Sequence, residues 1–585
     1  VTERRIRDAV RDAVAELGAE GVEVDLERPR DPEHGDLASN VALALASRLG
    51  RPPREIAQEI ARRLDPGAIG VESIDVAGPG FLNFRLTDRA LGEGLRRILA
   101  EDEDYGRSDE GGGRDVMVEF VSANPTGPLH LGHGRQAALG DAIASLLAWT
   151  GWGVYREFYY NDAGRQIDLL SRSVRARYLR LLGVEGVEAE VPEGGYRGAY
   201  VAEIAERLRD EVGDRWREGD EEVILDEVRR RAVRLLREEQ DRDLTAFRVH
   251  FDEHYLESTL HREGKVDETL RRLRETDLVY EKDGAVWLRT TEFGDQKDRV
   301  MVKANGSVTY FAVDVAYHLE KWRRGFERVI NVQGADHHGT VARVRAGLRA
   351  LGLPEGYPEY VLHQMVTVER EGEEVKFSKR AGSYTTLREL FDEVGVDVAR
   401  YFFQMRKPEA HLVFDLDVAL DESEKNPVYK IQYAHARMNS IFGKAGLEPE
   451  EFSGEGGDVT LLDHPDEREL VKRLVDFPDT VASAAELRAP HLLCDYLERT
   501  AGEVNSWYHA GNPSRDPERA VLVDDPELRR ARLVLARAVL IVLRNGLRVL
   551  GISAPRRMER TDETLTDHQD PEAADDEPEA AATGA

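Results

Sequence analysis

Residues 119–133 read Glu-Phe-Val-Ser-Ala-Asn-Pro-Thr-Gly-Pro-Leu-His-Leu-Gly-His, and no other stretch limits the possible folds so sharply. An apolar run at Val116, Val118 and Phe120 stops at Asn124-Pro125 and Thr126-Gly127-Pro128. The tetrad His130-Leu131-Gly132-His133 follows, then an apolar-periodic segment through Trp149. That order predicts a strand, a tight loop and a helix. Two imidazoles one turn apart stand where the helix opens. A helix N-terminus exposes unpaired N–H groups at the positive end of its dipole and attracts phosphate. Gly132 leaves room for a flat base to approach the backbone. The histidines could also be structural rings at a helix start, but the features together favour a nucleotide site.

About 240 residues on comes Lys376-Phe377-Ser378-Lys379-Arg380, then Ala381-Gly382. It follows an apolar stretch, Val361 to Val368, and a polar hairpin, Glu369–Glu374. Two lysines around a serine on a glycine-bounded loop suit a mobile clamp on a polyphosphate. Either motif alone is weak; the pair in this order, each after a strand, is strong. The chain here resembles the class I aminoacyl-tRNA synthetases, whose two signatures are called HIGH and KMSKS, and within them the arginyl-tRNA synthetases. Glu119-Phe120 and Ser122-Ala123-Asn124 before His130 match that family's first signature. Gly334-Ala335-Asp336-His337-His338-Gly339, Gln432-Tyr433-Ala434-His435-Ala436-Arg437 and Asp397-Val398-Ala399-Arg400 match further family patterns. The similarity runs from about residue 5 to Met558. Leu131 replaces Ile in the first signature; Phe377 and Arg380 replace Met and Ser in the second, leaving both lysines in place.

Size calls for three or four domains, since 585 residues exceed one core. No apolar run reaches the length of a membrane span, and the start Val1-Thr2-Glu3-Arg4-Arg5 leads into an amphipathic helix rather than a signal peptide. Cys494 is the only cysteine. It excludes a disulfide framework and a cysteine-cluster zinc site and is expected as an inert core thiol. These features fit a cytoplasmic protein. Asp and Glu number 112 against 81 Lys and Arg, a net charge of −31, and no lysine precedes Lys265. Such an acidic, lysine-poor surface suits a salt-filled cytoplasm where screening removes self-repulsion. It is read as halophilic, with an archaeal source. Local arginine patches remain available for RNA.

The expected fold class is α/β. A small α+β N-terminal domain (1–87), with a helix over Glu3–Leu17 and strands at Val22–Leu26, Ile74–Val76 and Phe81–Phe84, leads through a linker (88–113). The catalytic domain (114–385) is Rossmann-type, with a parallel sheet interrupted by a helical insertion at about 184–300. Strands at Val308–Val315 and Val329–Val332 supply its second half. The ligand then lies at the carboxyl ends of strands, across the switch point. An all-α anticodon-binding domain (386–560) and an acidic disordered tail (561–585) complete the chain.

The resemblance implies an arginine–tRNA ligase. Arginine's carboxylate attacks the α-phosphorus of ATP, giving an adenylate, and the 3′ end of tRNA(Arg) then takes the arginyl group. Catalysis is positioning and charge stabilisation. His130, His133, Lys376 and Lys379 are the catalytic candidates. ATP would meet them with Gly132, Asp336, His337, His338 and Ser378, and Mg²⁺ would arrive with ATP rather than at a dedicated protein site. A planar cation needs carboxylates. By resemblance Tyr310 and Asp314 hold the guanidinium, while Glu119, Ser122 and Asn124 orient the rest. Asn40, Tyr433 and Met558 are the expected tRNA contacts, and a monomer is expected. Asp314 could also be a helix-start acid, Tyr310 and Tyr433 core aromatics, and Asn40 a helix cap. Another class I synthetase, a small-molecule nucleotidyl ligase and a non-catalytic tRNA-binding paralogue stay open as alternatives; only the small ligase lacks a long helical RNA domain.

Overall fold

The computed structural model describes residues 2–29, 31–162, 164–186, 189–375, 386–511 and 516–558. Lys376, Ser378 and Lys379, and the acidic tail, lie outside the described residues.

The N-terminal unit joins helices Thr2–Glu16, Val41–Leu49 and Pro53–Arg63 to a three-stranded antiparallel sheet. Its strands are β1 (Leu37–Ser39), β2 (Val71–Ala77) and β3 (Phe81–Leu86), in the order β1-β3-β2. Val22–Leu26 is not a strand. The chain there makes only an isolated bridge, Glu27 to Ala38, so no ladder forms. Residues 88–113 are not a bare linker. Thr87 caps a helix over Asp88–Glu101, accepting from the Ala90 N–H at 3.1 Å. Its buried Leu91, Leu95 and Ile98 pack on helices Pro465–Val475 and Pro526–Val549 near the C-terminus.

The catalytic sheet is parallel, in the order β11-β10-β4-β5-β6. Here β4 is Asp115–Glu119, β5 Gly153–Tyr160, β6 Glu253–Leu256, β10 Val329–Gly334 and β11 Glu359–His363. Val116, Met117 and Val118 are fully buried, as a strand covered on both faces requires. The helix Leu131–Trp149 is buried almost all round, because it lies between the sheet and helices of the C-terminal region. The small antiparallel sheet β7-β8-β9 (Val279–Lys282, Ala285–Leu288, Arg299–Val302) sits beside this core.

Two expectations fail here. Val308–Val315 is not a strand; Tyr310–Arg323 is a helix, whose buried face (Phe311, Ala312, Val315, Ala316, Leu319) follows helical spacing. The insertion also does not run to 300. Helices Ala199–Val212 and Glu221–Ala246 carry it, but β6 already belongs to the parallel sheet, paired with β5.

β12 (Val366–Arg370) forms a hairpin with β13 (Glu373–Glu374) and pairs in parallel with β14 (Leu412–Asp415). Thus a strand beyond residue 386 completes a sheet begun on the catalytic side. Helices Pro427–Lys444, Pro465–Val475, Phe477–Glu486, Pro490–Ala510 and Pro526–Val549 form the C-terminal bundle, with Cys494 buried inside it. Among the described residues no helix is long and apolar enough to cross a membrane.

Candidate active site

β4 and β10 are neighbours, and the chain leaves them for opposite flanks of the sheet. Their carboxyl ends therefore open a crevice. The β4 end feeds residues 120–133, the β10 end feeds Gly334–His338, and the β11 end is His363.

His130 is the N-cap of the helix Leu131–Trp149. Its Nδ1 accepts the Gly132 N–H at 3.1 Å, while the His133 Nδ1 accepts the His130 N–H at 3.3 Å. This is a capping box built from two imidazoles. The rings stack with centroids 3.7 Å apart. A Cβ on residue 132 would come within 2.9 Å of the His130 ring, so the room that Gly132 leaves is filled by that ring. Because each Nδ1 accepts, each Nε2 carries the proton of the neutral ring. Burial lowers His133 to about 3, with His130 and His363 adding to the effect. His130 stands at the exposed mouth, and desolvation by the surrounding chain lowers its pKa as well. Both rings are thus neutral N–H donors near pH 7.

The lysine-bearing segment is bounded on both sides by ordered contacts. Before it, the Val375 N–H donates to the Val368 carbonyl at 2.9 Å. After it, Thr386 bridges His130, and the Leu387 N–H donates to the Leu129 carbonyl at 2.8 Å. Val375, ahead of the lysines, is thus held at the β12–β13 hairpin, and Thr386, after them, at the His130 loop.

Asp336, His337 and His338 are exposed where β10 meets the helix His338–Ala350, with His337 Nε2 3.7 Å from the Asp336 carboxylate. Ser122 has a positive φ of 41°. Its hydroxyl donates to Glu119 at 2.8 Å and accepts the Tyr159 N–H at 3.2 Å. Asn124 donates to Gln166 at 2.6 Å. The buried Gln240, on the insertion helix, donates to the carbonyls of Asn124 and Gly127 at 3.2 and 2.9 Å. The insertion thus braces the loop leading to His130.

Glu119 is buried and paired with the fully buried Lys321, which also donates to Asn331 at 3.0 Å. Burial opposes its ionisation, but Lys321 prevails and holds its pKa below the ordinary value. Glu157 is likewise engaged, by Arg324 and by the Tyr317 hydroxyl at 2.7 Å. Asp314 differs. It makes no ion pair with a described residue, and burial raises it to about 7, with Arg343 opposing and Glu257 and Glu119 adding to the rise. Tyr310 lies one turn earlier on the same helix face and is 65 % exposed. Glu257, raised by burial, accepts the Tyr159 hydroxyl at 2.8 Å. Of the expected arginine contacts, Tyr310 and Asp314 are the pair left open to a cation, whereas Glu119 is already neutralised.

Sequence reasoning missed several residues. Lys321, His318 and Asn331 build the floor: His318 joins Asn331 at 2.7 Å and the Asp314 carbonyl at 2.8 Å. Arg135 is fully buried and donates to the carbonyls of Gln364, Ala410 and Lys407 at 2.8, 3.0 and 3.0 Å. Burial lowers its pKa to about 10. His363 ends β11. The one available signal was that lysines are rare here, which makes Lys321 in an apolar helix conspicuous.

Further out, Arg400 is fully buried and joins three regions. It pairs with Asp141 of the histidine-capped helix at 2.6 Å and donates to the carbonyls of Phe247 at 2.8 Å and Leu550 at 3.1 Å. Asp397 receives the Ser553 N–H at 3.1 Å and Gln432 at 2.9 Å. On the bundle surface the Arg437 guanidinium lies over both Tyr433 and Tyr508, 4.6 and 4.4 Å from the ring centroids. Tyr433 also stacks on Tyr429. Asn40 stands at the N-cap of Val41–Leu49 with an exposed side chain that makes no capping bond. Met558 is the last described residue.

A parallel sheet with paired histidines at its switch point, a helical insertion and a helical C-terminal bundle defines a class I aminoacyl-tRNA synthetase. Family models agree along the chain. The arginyl tRNA synthetase N-terminal domain matches residues 4–86, the class I (R) catalytic domain 94–413 and the DALR anticodon binding domain 431–558. The chain is 50 % identical to the arginine–tRNA ligase of Thiobacillus denitrificans, over 92 % of its own length and 95 % of the relative's. It is 50 % identical to that of Geobacter metallireducens, over 94 % and 100 %. The solved structure of Thermus thermophilus arginyl-tRNA synthetase superposes with a TM-score of 0.74 at 27 % identity, covering 95 % of this chain and 100 % of that one. The chain belongs to the arginyl-tRNA synthetases and is an arginine–tRNA ligase. These relatives are bacterial, so the archaeal source expected from composition finds no support.

Proposed function

We propose that both chemical steps take place at the carboxyl ends of β4, β10 and β11. MgATP lies with its phosphates toward His130 and His133, and arginine lies with its guanidinium toward Asp314 and Tyr310. An arginine carboxylate oxygen bonds to the α-phosphorus, the bond to the bridging oxygen breaks, and pyrophosphate leaves. A hydroxyl of the terminal tRNA ribose then attacks the arginyl carbonyl, and AMP leaves. The attacking carboxylate is already ionised, so the first step needs no base. The Nε2–H groups of His130 and His133 supply neutral donors as charge builds on phosphate oxygens. Lys376 and Lys379 steady the departing pyrophosphate. Asp336, His337 and His338 line the nucleotide, with Ser378 on the loop between the lysines.

The observation that carries this reading is the division of charges. Glu119 and Glu157 are paired with internal cations, while Asp314 has none among the described residues. An unpaired, half-buried carboxylate beside an exposed tyrosine fits a guanidinium. Ser122 and Asn124 act by fixing the loop, and Glu119 acts through Lys321 and Ser122.

For tRNA(Arg), the exposed Asn40 supports an outer contact, and the Tyr433–Arg437–Tyr508 stack offers a face for a splayed base, while Met558 follows by three residues Pro555, whose carbonyl meets His435. Cytoplasmic location, a monomeric state and adaptation to salt complete the proposal. The last is supported by the net charge of −31 with few lysines.

The test is arginine-dependent ATP–pyrophosphate exchange, with and without tRNA. His130→Ala, His133→Ala and Lys379→Ala should each slow it roughly 10²–10³-fold while arginine affinity changes far less. Near-normal exchange in all three would remove these side chains from the chemistry.

A further inference from the structure

The third histidine of the cluster has the opposite hydrogen-bonding polarity to the other two. His363 is buried, 5 % exposed, at the carboxyl end of β11. Its Nδ1 lies 3.2 Å from the Gln364 carbonyl, which can only accept, so Nδ1 carries the proton. Arg135 donates to the same carbonyl at 2.8 Å and keeps it in place. The proton is therefore fixed on Nδ1, and Nε2 of the neutral ring presents a bare lone pair. That atom is buried and has no hydrogen-bond partner among the described residues. The β10–β11 register sets His363 beside Gly334, two residues before Asp336, and burial lowers its pKa to about 4, which keeps Nε2 unprotonated near neutrality.

A buried acceptor without a donor is costly, and a ligand that brings one recovers that cost. His130 and His133 present N–H groups and suit phosphate oxygens, which accept. His363 presents a lone pair, which phosphate oxygens cannot satisfy. Within ATP the donors are the purine 6-amino group and the ribose hydroxyls. The exposed Met365, two residues on, adds an apolar surface beside it.

We infer that His363 is a nucleoside-reading residue, whose Nε2 accepts a hydrogen bond from the 6-amino group or a ribose hydroxyl of ATP. This rests on the placement of ATP at His130 and His133 proposed above. His363 is a binding residue that sets nucleotide choice, and Arg135 is a positioning residue that holds its tautomer.

The experiment compares ATP with three probes in pyrophosphate exchange with tRNA present: purine riboside triphosphate, which lacks the amino group, 2′-deoxyATP and 3′-deoxyATP. The wild-type enzyme should discriminate against at least one probe by about five- to tenfold in kcat/KM, a single neutral hydrogen bond. In His363→Leu that discrimination should vanish while the KM for ATP rises by the same factor and kcat holds. His363→Gln, which keeps an acceptor, should restore it. The probe whose penalty disappears names the group. Ratios between nucleotides within one preparation do not depend on how much of a variant folds. Unchanged penalties in His363→Leu, no penalty in the wild type, or a fall in kcat at constant KM would each overturn the inference. Near-normal exchange by His130→Ala would instead undo the ATP placement on which it rests.

Discussion

Arginine binding should depend on pH through Asp314. Burial raises this carboxyl to about 7, so near neutrality it is half protonated before substrate arrives. Only the carboxylate pairs with a guanidinium, so binding releases the proton. The sign follows from the raised pKa. Below 7 the acid form dominates and arginine must compete with a proton; above 7 the carboxylate is ready. Apparent affinity scales with the ionised fraction, so it should fall about tenfold between pH 8 and pH 6. The folded protein itself shows the converse. A carboxyl with a raised folded pKa contributes stability below the unfolded value of 3.8 and loses it as pH rises through 7, so the ligand offsets most at high pH. Titration calorimetry in buffers of different ionisation heat measures both quantities. Proton release should be about 0.9 per arginine at pH 6 and about 0.1 at pH 8. Asp314→Asn should bind arginine roughly ten- to a hundredfold more weakly, a lost charge-assisted bond, and without pH dependence. Equal affinity of the wild type at pH 6 and pH 8, with no proton released, would refute the reasoning.

Further outcomes follow from other buried contacts and from the net charge. Lys321→Met leaves Glu119 as a buried, unpaired charge and should destabilise the protein by about 3–5 kcal/mol; Lys321→Met with Glu119→Gln should recover much of that, and calorimetric melting of single and double variants checks it. Gly551→Ala places a Cβ 2.1 Å from the Arg400 Nη2 at a φ of +71°, whereas Gly446→Ala meets nothing within 4 Å at a φ of +67°; the first should melt well below the second, and equal melting points would show that Arg400 yields freely. With a net charge of −31, thermal stability should rise towards molar KCl, where the Debye length shortens from about 30 Å at 0.01 M to about 3 Å. Affinity for tRNA should fall over the same range with a shallow slope, and melting curves and tRNA titrations across a KCl series test both trends.

The strand, loop and helix at 115–149 were legible because an apolar run, two prolines and a glycine leave few alternatives. Val308–Val315 misled because Val-Thr-Tyr-Phe-Ala-Val-Asp-Val alternates like a strand. Only the continuation through Ala316, Leu319 and Lys321 reveals the helical face, and the charged end hides it. β6 escaped notice because four residues after a long charged helix carry little pattern of their own. The helix over 88–101 did show Leu91, Leu95 and Ile98 at helical spacing behind Thr87, but the three glycines at 111–113 drew the eye to a linker. In the site, the donor histidines His130 and His133 could be named from sequence, but the acceptor His363 could not, nor could the tautomers of the three. Those depend on which backbone atom each Nδ1 meets.

The same limit explains the two buried arginines. Arg135 and Arg400 act mainly on carbonyl oxygens, and every residue has one, so no spacing rule marks their partners. Yet they answer a need the sequence does show. A helix buried on nearly all sides and mostly by apolar residues, as Leu131–Trp149 is, packs well in more than one rotation and offset. Hydrogen bonds discriminate where apolar contact does not. The imidazole cap fixes the helix start, Arg135 ties its first turns to Gln364, Lys407 and Ala410, and Asp141 ties its middle to Arg400. Arg400 in turn holds the end of the C-terminal helix at Leu550. The position of the two donor histidines is thereby set jointly by the turn between β11 and β12, by the stretch ahead of β14 and by the helical bundle. A shift in any of them reaches the two histidines through a rigid helix rather than through a loop.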